Sequence, residues 1–337
     1  MKANPPAGVV DRVAAAIRAG RLIGKGDRVL IGVSGGPDSV ALWHLLLGLQ
    51  DARQISVLAV HVDHQLRPSS TSDAEAVQQL GQRLQAPVVV VRRNVRAESR
   101  DRGWSLEDGA RRIRYEVFRD LARARDLTRI AVAHTADDQA ETVVMRMVRG
   151  TGLTGLTAIP SCRRVGPGDG VMIIRPLLGV WRREIMAYLQ AHDLPYCLDE
   201  TNADVQFLRN RIRVQLLPLL EQQYNPNIKT LLAQLAEQCQ TDTAFLQDEA
   251  RRYWRRLVKR PPSGSLAIRI TGFLRQPQAL QRQLMRLAIH DVQGDLTGFE
   301  FRHWLEIERL FRERPVGTIL DLPNGTQLER QQAREEL

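Results

Sequence analysis

The sequence predicts an α/β fold built on a parallel sheet and followed by a smaller, mainly helical α+β domain. Near-continuous Val/Ile/Leu runs alternate with helical stretches over most of the first two thirds of the chain. This alternation is typical of a parallel sheet that is covered by helices on both faces. A glycine-rich turn, "SGGPDS" at residues 34–39, joins the first apolar run to a helix. Beyond residue 215 the alternation stops, which indicates a second domain of a different class.

The apolar runs predict five strands in the first two thirds of the chain, and the stretches between them predict helices. The predicted strands are 28–34, 55–64, 86–93, 129–135 and 171–178. The predicted helices are 9–19, 38–50, 70–85, 106–126 and 137–150. The later part predicts a helix at 225–258, a short strand at 265–271, helices near 276–292 and 298–312, and a hairpin at 317–330 with Asn324-Gly325 as its turn signal. We expect a first domain at 1–217, a helical linker at 218–260 and a C-terminal domain at 261–337.

The chain is strongly basic, and its positive charge is almost entirely arginine. Its 337 residues carry a formal net charge of +10 with a pI of 10.2, while lysine occurs only at Lys2, Lys25, Lys229 and Lys259. Arginine binds phosphate bidentately, so the composition favours an anionic polymer as a partner. A basic surface that binds no such polymer would have the same composition.

Cysteine usage and hydropathy exclude several classes of protein. Cys162, Cys197 and Cys239 lie far apart and form no C-x-x-C pair. This argues against a zinc knuckle, a locally built iron–sulfur site and a secreted disulfide scaffold. Charged residues interrupt the N-terminal stretch, which therefore does not predict a signal peptide, and no run of about 18 apolar residues occurs. We expect a cytoplasmic protein.

The turn at residues 34–39 has the features of an anion-binding loop. Glycines let the backbone approach a ligand closely, and Pro37 suits the first turn of a helix. The helix N-terminus then attracts an anion, and Ser34 and Ser39 add hydroxyl donors. Asp38 would repel a bare phosphate, so its presence predicts Mg²⁺ held between carboxylate and phosphate.

A cluster of acidic residues follows the fourth strand. His134, Asp137, Asp138 and Glu141 occupy offsets 0, 3, 4 and 7, so a helix that begins near Ala136 would direct the three carboxylates to the carboxyl edge of the sheet. Acidic residues in a first turn are also favoured by the helix dipole alone. At a ligand-binding edge the same cluster can hold Mg²⁺ and a cationic substrate, and an ammonium nucleophile would then have to lose a proton.

Charged side chains share one face of the helix predicted at 106–126. Glu107 and Arg111 are four residues apart, and Arg111 and Arg114 are three apart. The spacing suits a solvated salt-bridge ladder, and it equally suits arginines that support phosphate charge or nucleic acid. After the second strand, His61 and His64 resemble metal ligands, although a loop histidine pair is more often not one.

Two later segments concentrate arginine. The stretch 199–220 has three arginines and two asparagines, namely Arg209, Arg211, Arg213, Asn202 and Asn210. It predicts a contact with phosphate or an RNA backbone, or simply a basic helix start. The stretch 251–260 interleaves aromatic residues with arginines that include Arg251, Arg252 and Arg255. It predicts a nucleic-acid surface, with a solvated helix face as the equal alternative.

These motifs carry a family resemblance. In its setting between strand and helix, S-G-G-x-D-S resembles the signature of the PP-loop ATP pyrophosphatases. The other motifs narrow the resemblance to the tRNA(Ile)-lysidine synthetases: "HVDHQLRPSS", E-x-x-A-R-x-x-R-Y, H-x-x-D-D-Q-A-E-T with R-G-x-G-x-x-G-L, and D-x-T-N-x-D with L-R-N-R-I-R-x-x-L-x-P. The similarity is dense over 28–220 and weak beyond, and Thr201 stands where serine is common. The chain resembles the short form of the family, without the second C-terminal domain of longer members.

The resemblance implies a fold and a reaction. The fold is a Rossmann-like parallel sheet of the PP-loop ATPase, or adenine nucleotide alpha-hydrolase, type, with tRNA binding by the C-terminal domain. ATP and Mg²⁺ are the implied cofactors, and L-lysine and an isoleucine tRNA with a CAU anticodon are the implied partners of a homodimer. ATP adenylates the C2 oxygen of the wobble cytidine, and the lysine ε-amino group displaces AMP. The lysidine product pairs with A instead of G, so the codon read changes from AUG to AUA.

The resemblance also implies roles for individual residues. The ATP-binding set is Ser34, Gly35, Gly36, Pro37, Asp38 and Ser39 at the phosphates, with His61 and Val62 at the adenine. The catalytic set is Asp38, Arg111 and Asp138, of which Asp38 and Asp138 are the Mg²⁺ ligands. The lysine-binding set is His134, Asp137 and Glu141. The set facing tRNA or phosphate is Arg114, Arg209, Arg213, Arg251, Arg252 and Arg255.

Two other functions remain open on the sequence. One is a PP-loop tRNA enzyme of the 2-thiocytidine type, against which the missing C-x-x-C pairs weigh. The other is a non-catalytic module that binds ATP or RNA. In that case Asp38 and the carboxylates at 137–141 would have no chemical task.

Overall fold

A computed structural model describes residues 8–66, 70–166, 168–197, 207–261, 265–296 and 298–332. In this described part the chain divides into two compact units, Met1–Glu237 and Gln238–Leu337. The boundary falls within a long helix, Ile228–Leu257, inside the segment that the sequence predicts as a linker.

The first unit is organised around a six-stranded sheet formed by the described residues. Its strands are β1 (Arg28–Gly32), β2 (Ser56–Asp63), β3 (Val88–Arg92), β4 (Arg129–Ala131), β5 (Cys162–Arg164) and β6 (Met172–Ile174). Their order is β3-β2-β1-β4-β6-β5. The pairs β1/β2, β2/β3, β1/β4 and β4/β6 are parallel, and only β5 at the edge is antiparallel within this sheet. The predicted parallel sheet is confirmed.

Helices follow most strands of this unit. They are α1 (Val9–Ala19), α2 (Pro37–Leu47), α3 (Gln50–Arg53), α4 (Ser70–Arg83), α5 (Val95–Asp101), α6 (Leu106–Ala124), α7 (Ala136–Val148), α8 (Leu153–Leu156), α9 (Arg182–Ala191), α10 (Leu208–Arg211), α11 (Leu217–Gln223) and α12 (Ile228–Leu257). A π-helical turn, Ile212–Leu216, joins α10 to α11.

The core of this unit lies on both faces of the sheet. In β1, Val29 and Ile31 pack in the cluster that contains Trp43 of α2. Leu30, which points to the other face, packs in the cluster that contains Phe118 of α6. These side chains are at most 2% exposed. Burial on both faces explains why the strands are continuous apolar runs rather than alternating ones.

The strand order places a crevice at the carboxyl ends of β1 and β4. From β1 the chain moves outward through β2 to β3, and then crosses to β4 on the opposite side of β1. Open α/β sheets bind ligands at such a switch point. The loop that opens α2 and the acidic start of α7 both lie at this edge, because each directly follows one of the two strands.

Several elements were not predicted. Strand β5 has the sequence Cys-Arg-Arg and is formed by its pairing with β6, not by an apolar run. The fifth predicted strand, 171–178, ends at Ile174. The helix α9 buries only Ile185 and Leu189, a pattern too short to stand out in the sequence.

The second unit contains the end of α12 together with smaller elements. These are β7 (Val258–Lys259), β8 (Ala267–Ile268), α13 (Ile270–Leu274), α14 (Gln278–Gln293), α15 (Phe301–Arg312), β9 (Ile319–Asp321) and β10 (Gln327–Glu329). Trp304, Phe311 and Leu284 belong to its own buried cluster. The predicted hairpin forms between β9 and β10, and Asn324 and Gly325 both have positive φ in its loop. Over the described ranges, no helix has the length and apolar character needed to cross a membrane.

Gly32 tests the packing of β1 against α6. A Cβ atom at this position would lie 2.5 Å from Cζ of Phe118, whose ring is 2% exposed and has little room to move. We expect Gly32→Ala to lower the free energy of unfolding by about 1–3 kcal/mol, measured by urea denaturation. Gly170→Ala is the control, because a Cβ there meets no atom within 4 Å. Equal midpoints for the two variants would contradict this packing.

Candidate active site

The loop at residues 34–39 follows β1 and opens α2. Gly35 has a φ of +87°, which favours glycine, and Gly36 caps the helix with Pro37 in its first turn. The Ser39 hydroxyl donates to the Gly36 carbonyl at 2.8 Å and accepts from the Ser34 N–H at 3.1 Å. These bonds fix a turn at a helix N-terminus, which is a position suited to an anion.

Contacts from distant segments brace this loop. His61, buried near the end of β2, donates from Nδ1 to the Val33 carbonyl at 2.9 Å, directly before the loop. The Cys197 N–H donates to the Gly35 carbonyl at 2.9 Å. Val62 is buried in the cluster on the α6 face of the sheet. A contact of His61 and Val62 with adenine stays a prediction.

The two carboxylate oxygens of Asp38 differ in their hydrogen-bond partners. Its Oδ2 accepts from Nη1 of Arg182 at 2.9 Å. Its Oδ1 is buried and, among the described residues, has no hydrogen-bond partner. Burial raises the pKa of Asp38 to about 6, against the effect of the Arg182 charge. A buried carboxylate oxygen without a partner is a position that a bound cation would satisfy.

Asp138 caps the start of α7. Its Oδ2 accepts from the Thr135 N–H at 2.8 Å and from the Thr135 hydroxyl at 3.1 Å, as half of a capping box. Its Oδ1 accepts from Nη2 of Arg209 at 2.6 Å. Burial opposes ionisation of Asp138, but Arg209, His134 and the Thr135 N–H outweigh it and lower the pKa. Both oxygens of this carboxylate therefore have partners.

Glu141 lies one turn further along α7 and is only 2% exposed. Its Oε1 accepts from Nε of Arg213 at 2.6 Å, and its Oε2 accepts from Nη2 of Arg213 at 3.0 Å and from Nε of Arg209 at 2.9 Å. Arg209 and Arg213 thus join Asp138 and Glu141 in one network. Contacts of these arginines with phosphate, and of Glu141 with lysine, stay predictions, because each would add to or replace these bonds.

Asp137, in the first turn of α7, contacts Arg182 and Lys229. Its Oδ2 accepts from the backbone N–H of Arg182 at 2.8 Å, so Arg182 contacts Asp137 through its backbone and Asp38 through its side chain. Lys229 of α12 lies with Nζ 3.9 Å from Oδ1 of Asp137 and 2.9 Å from Oε2 of Glu221. Asp38 and Asp137, predicted for different ligands, are therefore held within the reach of one arginine.

His134 lies beyond the end of β4, beside a buried arginine. Its Nδ1 is 3.2 Å from Nε of Arg175, which follows β6 and is 3% exposed. Burial lowers the pKa of His134 to about 4, so the imidazole is neutral at neutral pH.

Arg111 and Arg114 are both exposed on α6. The Arg111 guanidinium lies over the Tyr115 ring, 5.3 Å from its centroid, and its charge contributes to the low pKa of His134. Burial first, and then the charge of Arg114, lowers the pKa of His64 to about 4. These two arginines therefore border the site, and their roles toward substrate stay predictions.

The remaining predicted residues lie elsewhere or outside the described part. Arg251, Arg252 and Arg255 are exposed on α12 in the second unit, where the first two pair with Asp248 and Glu249. Asn202 and Thr201 lie outside the described residues, as do residues 67–69 of the second motif.

Within the described residues, no group of three or more His, Cys, Asp or Glu side chains is arranged to hold a metal ion. Mg²⁺ usually takes one or two carboxylates and completes its shell with phosphate oxygens and water. Asp38 fits that need through its unpartnered Oδ1. Asp138 fits only if Arg209 releases its Oδ1.

Sequence reasoning missed Arg182, Arg175 and Lys229. Arg175 and Arg182 follow β6, which is one of the parallel strands that end at the ligand edge. That position is the available signal, since the polar residues that follow β1 and β4 also belong to the site. Lys229 gave no signal, because it reaches Asp137 from a helix more than eighty residues away.

Glu141 tests the network of buried charges. Glu141→Gln removes a negative charge between two guanidinium groups, and we expect it to lower the free energy of unfolding by about 2 kcal/mol in urea denaturation. Asp193→Asn is the control, because its carboxylate, paired with Arg83, is 97% exposed. We expect a change within about 0.5 kcal/mol there. An effect of Glu141→Gln no larger than that of the control would show that the network contributes little to stability.

Comparisons with known proteins identify relatives of this chain. The family model described as a PP-loop domain matches residues 11–220. The tRNA(Ile)-lysidine synthase of Thermosynechococcus vestitus is 37% identical over 303 residues, which cover 90% of this chain and 84% of that one. That of Geobacter sulfurreducens is 40% identical over 296 residues, which cover 87% of this chain and 61% of that one.

A solved structure shares the fold. The U34-tRNA thiolase NcsA from Methanococcus maripaludis superposes with a TM-score of 0.57 at 18% identity, over 68% of this chain and 77% of that chain. At that identity the likeness concerns the fold alone. The predicted PP-loop type of sheet is confirmed by the matched family model. From the matched family model and the identities to its relatives, the chain belongs to the tRNA(Ile)-lysidine synthase family of PP-loop proteins.

Proposed function

We propose that the protein ligates L-lysine to C2 of the wobble cytidine in an isoleucine tRNA with a CAU anticodon, with ATP converted to AMP and pyrophosphate. One observation supports this most strongly. Arg182 joins Asp38, beside the candidate phosphate loop, to Asp137, a candidate for the amine. A reaction in which an amine displaces AMP needs these two subsites next to each other. Relatives that carry the lysidine synthase name match over most of this chain.

In the proposed first step, the cytidine C2 oxygen attacks the α-phosphorus of ATP and pyrophosphate leaves. The loop at residues 34–39 would bind the phosphates through its N–H groups and hydroxyls, at the N-terminus of α2. The target base must be extruded from the anticodon stack to reach this edge of the sheet. Arg111, exposed beside the site, is the proposed partner of the charge on the adenylated intermediate.

Mg²⁺ is proposed to bind with the ATP phosphates. Asp38 would hold it through Oδ1, and Asp138 is the second candidate after exchange of its Arg209 contact. When bound, the ion would neutralise phosphate charge during pyrophosphate release. Arg182, once released from Asp38, would be free to face the same phosphates.

In the proposed second step, the ε-amino nitrogen of lysine attacks C2. The C2–O bond breaks and AMP leaves with that oxygen. The nitrogen, which arrives as an ammonium, loses one proton before the attack and one after it, and keeps one N–H. The amine arrives as an ammonium, so an acidic partner is needed to bind it and accept a proton. Asp137 is the proposed first partner, because its Oδ1 already lies 3.9 Å from a lysine ammonium, that of Lys229. Glu141 is the proposed second, through its shared network with Arg209 and Arg213.

The tRNA is proposed to contact exposed arginines of both units. Arg114 belongs to the first unit, and Arg251, Arg252 and Arg255 belong to α12 in the second. The second unit would act as the tRNA-binding domain that the sequence predicts. A cytoplasmic location and a homodimer are part of the same proposal, since the tRNA pool is cytoplasmic and the family resemblance implies a dimer.

A direct assay tests the reaction. The protein is incubated with ATP, Mg²⁺, labelled lysine and an unmodified isoleucine tRNA with a CAU anticodon, and we expect label in the tRNA together with AMP and pyrophosphate. A tRNA with its wobble cytidine replaced by uridine is the substrate control, and Asp38→Ala is the protein control. ATP binding without any incorporation of lysine would refute the proposed reaction.

The titration of Asp38 gives a pH dependence. The pKa of this carboxyl is raised to about 6 by burial, so below that pH the group is protonated and cannot take a cation. We expect Mg²⁺-dependent ATP binding, measured by calorimetry, to weaken roughly tenfold per pH unit below pH 6 and to be flat above pH 7.

Two variants isolate this effect from the titration of ATP itself. The ratio of wild-type to Asp38→Asn affinity cancels the protonation of ATP, and it should carry the inflection. Arg182→Met removes the charge that lowers the Asp38 pKa, so the inflection should move to higher pH. A ratio that does not vary with pH would remove Asp38 from the cation site.

A further inference from the structure

We infer that Arg175 is a positioning residue that fixes His134 as an Nε2–H donor, so that His134 binds an anionic oxygen of the substrates and not the lysine ammonium. This inference deepens the proposed function and rests on it for the identity of the substrates. The arrangement of the two side chains stands on geometry alone.

Arg175 is held in a fixed place. It directly follows β6, it is 3% exposed, and its Nη1 donates to the Pro160 carbonyl at 2.6 Å. The Tyr115 hydroxyl is a further hydrogen-bonding neighbour. With these partners around it, its Nε points to Nδ1 of His134 at 3.2 Å. The buried guanidinium is thus part of the wall of the site and not a mobile surface charge.

The chemistry of the pair assigns the proton on the imidazole. A guanidinium has donors and no acceptor, so Nδ1 of His134 must accept. A neutral imidazole carries one proton, which then sits on Nε2. The ring is neutral because burial, and then the charges of Arg175, Arg209 and Arg111, lower its pKa to about 4 in spite of Asp138.

The Nε2 edge is available to a ligand. Within the described part of the chain, His134 makes one hydrogen bond, in which its Nδ1 accepts from Nε of Arg175. The residue is half-buried, and it precedes the helix that carries Asp137 and Asp138. An N–H donor therefore stands beside two carboxylates at the same edge of the sheet.

A donor and a carboxylate select different ends of the substrate. An Nε2–H cannot accept a hydrogen bond or a proton from an ammonium group, so binding and deprotonation of the amine fall to the carboxylates. The donor suits an anionic oxygen. That oxygen belongs either to the α-carboxylate of lysine or to the phosphoryl group of the adenylated cytidine, and the kinetic test below separates the two.

The proton assignment is tested by ¹⁵N NMR of the imidazoles in the unliganded protein. The chain has seven histidines, and the His134→Gln spectrum assigns the signal of His134 by difference. We expect a protonated Nε2 and an unprotonated Nδ1 at neutral pH. A protonated Nδ1 in the wild type would overturn the inference, whatever the activity of the enzyme.

Variants of Arg175 test its part in the arrangement. Arg175→Met should replace the single tautomer by a mixture and raise the pKa of His134, while Arg175→Lys, which keeps a donor and a charge, should restore both. Arg129→Met is the control for loss of a partly buried arginine next to the sheet. Arg129 begins β4 and pairs with Asp27 and the Leu22 carbonyl, away from the site. An unchanged His134 signal in Arg175→Met would overturn the positioning role.

Kinetics of His134→Leu identify the oxygen. Lysine is compared with cadaverine, which has the same amine and no carboxylate. A loss of about tenfold or more in kcat/KM with lysine that disappears with cadaverine assigns the carboxylate. A loss in pyrophosphate release before lysine is added assigns the phosphoryl oxygen. An equal loss for both amines in the step that expels AMP also assigns the phosphoryl oxygen. Unchanged rates of pyrophosphate release and of lysine transfer in His134→Leu would overturn the inference, because His134 would then bind neither oxygen.

If the wild type forms no lysidine at all, the proposed function fails and the kinetic test has no substrate. The NMR result on the tautomer would still stand or fall by itself. The two failures are therefore distinguishable.

Discussion

The pairing of carboxylates with guanidinium groups at the carboxyl edge of the sheet is the constraint around which the first unit is arranged. The parallel strands β1 and β4 end side by side, so the helices that follow them bring Asp38 and the acidic start of α7 together. The negative charges of these carboxylates repel each other, and the repulsion is strong where water is partly excluded. Arg182, Arg209 and Arg213 reach this edge from later segments of the chain and offset that repulsion.

Because the charges of the site are already paired with each other, a charged ligand binds by replacing one of these internal partners. Arg182, Arg209 and Arg213 are already paired with carboxylates of the site, so a phosphate gains one of these three arginines only when it leaves its carboxylate. The carboxylate then needs a new partner, such as a cation or a substrate ammonium. The cost of leaving a buried charge without a partner is large, which favours joint over separate binding of anionic and cationic ligands. The unpartnered oxygen of Asp38 marks where this balance is incomplete.

The sequence was sufficient to locate the chemistry but not its pairings. The apolar residues inside runs such as 28–34 and 129–135 are buried on both faces, so their continuity predicts strands. Polar motifs directly after such strands must lie at one edge of the sheet. The contact of Asp38 with Arg182 spans 144 residues, and no periodicity encodes it. The local sequence pattern predicts phosphate contacts for Arg209 and Arg213, because it shows a positive charge without showing which carboxylate is nearest in the fold. The pairing of β5 with β6 was invisible for the same reason: it is a tertiary contact.

The π-helical turn Ile212–Leu216 sets the rotational phase of the segment that carries these arginines. Each residue of an α-helix advances the side chains by about 100°, and a π turn absorbs one extra residue without changing the direction of the helix. Arg209 and Arg213 can therefore face Glu141 while Leu217, only 1% exposed, faces the core. Loss or gain of one residue here would bring one of these two faces out of register. The length of this segment is thus constrained in addition to the identity of its charged residues.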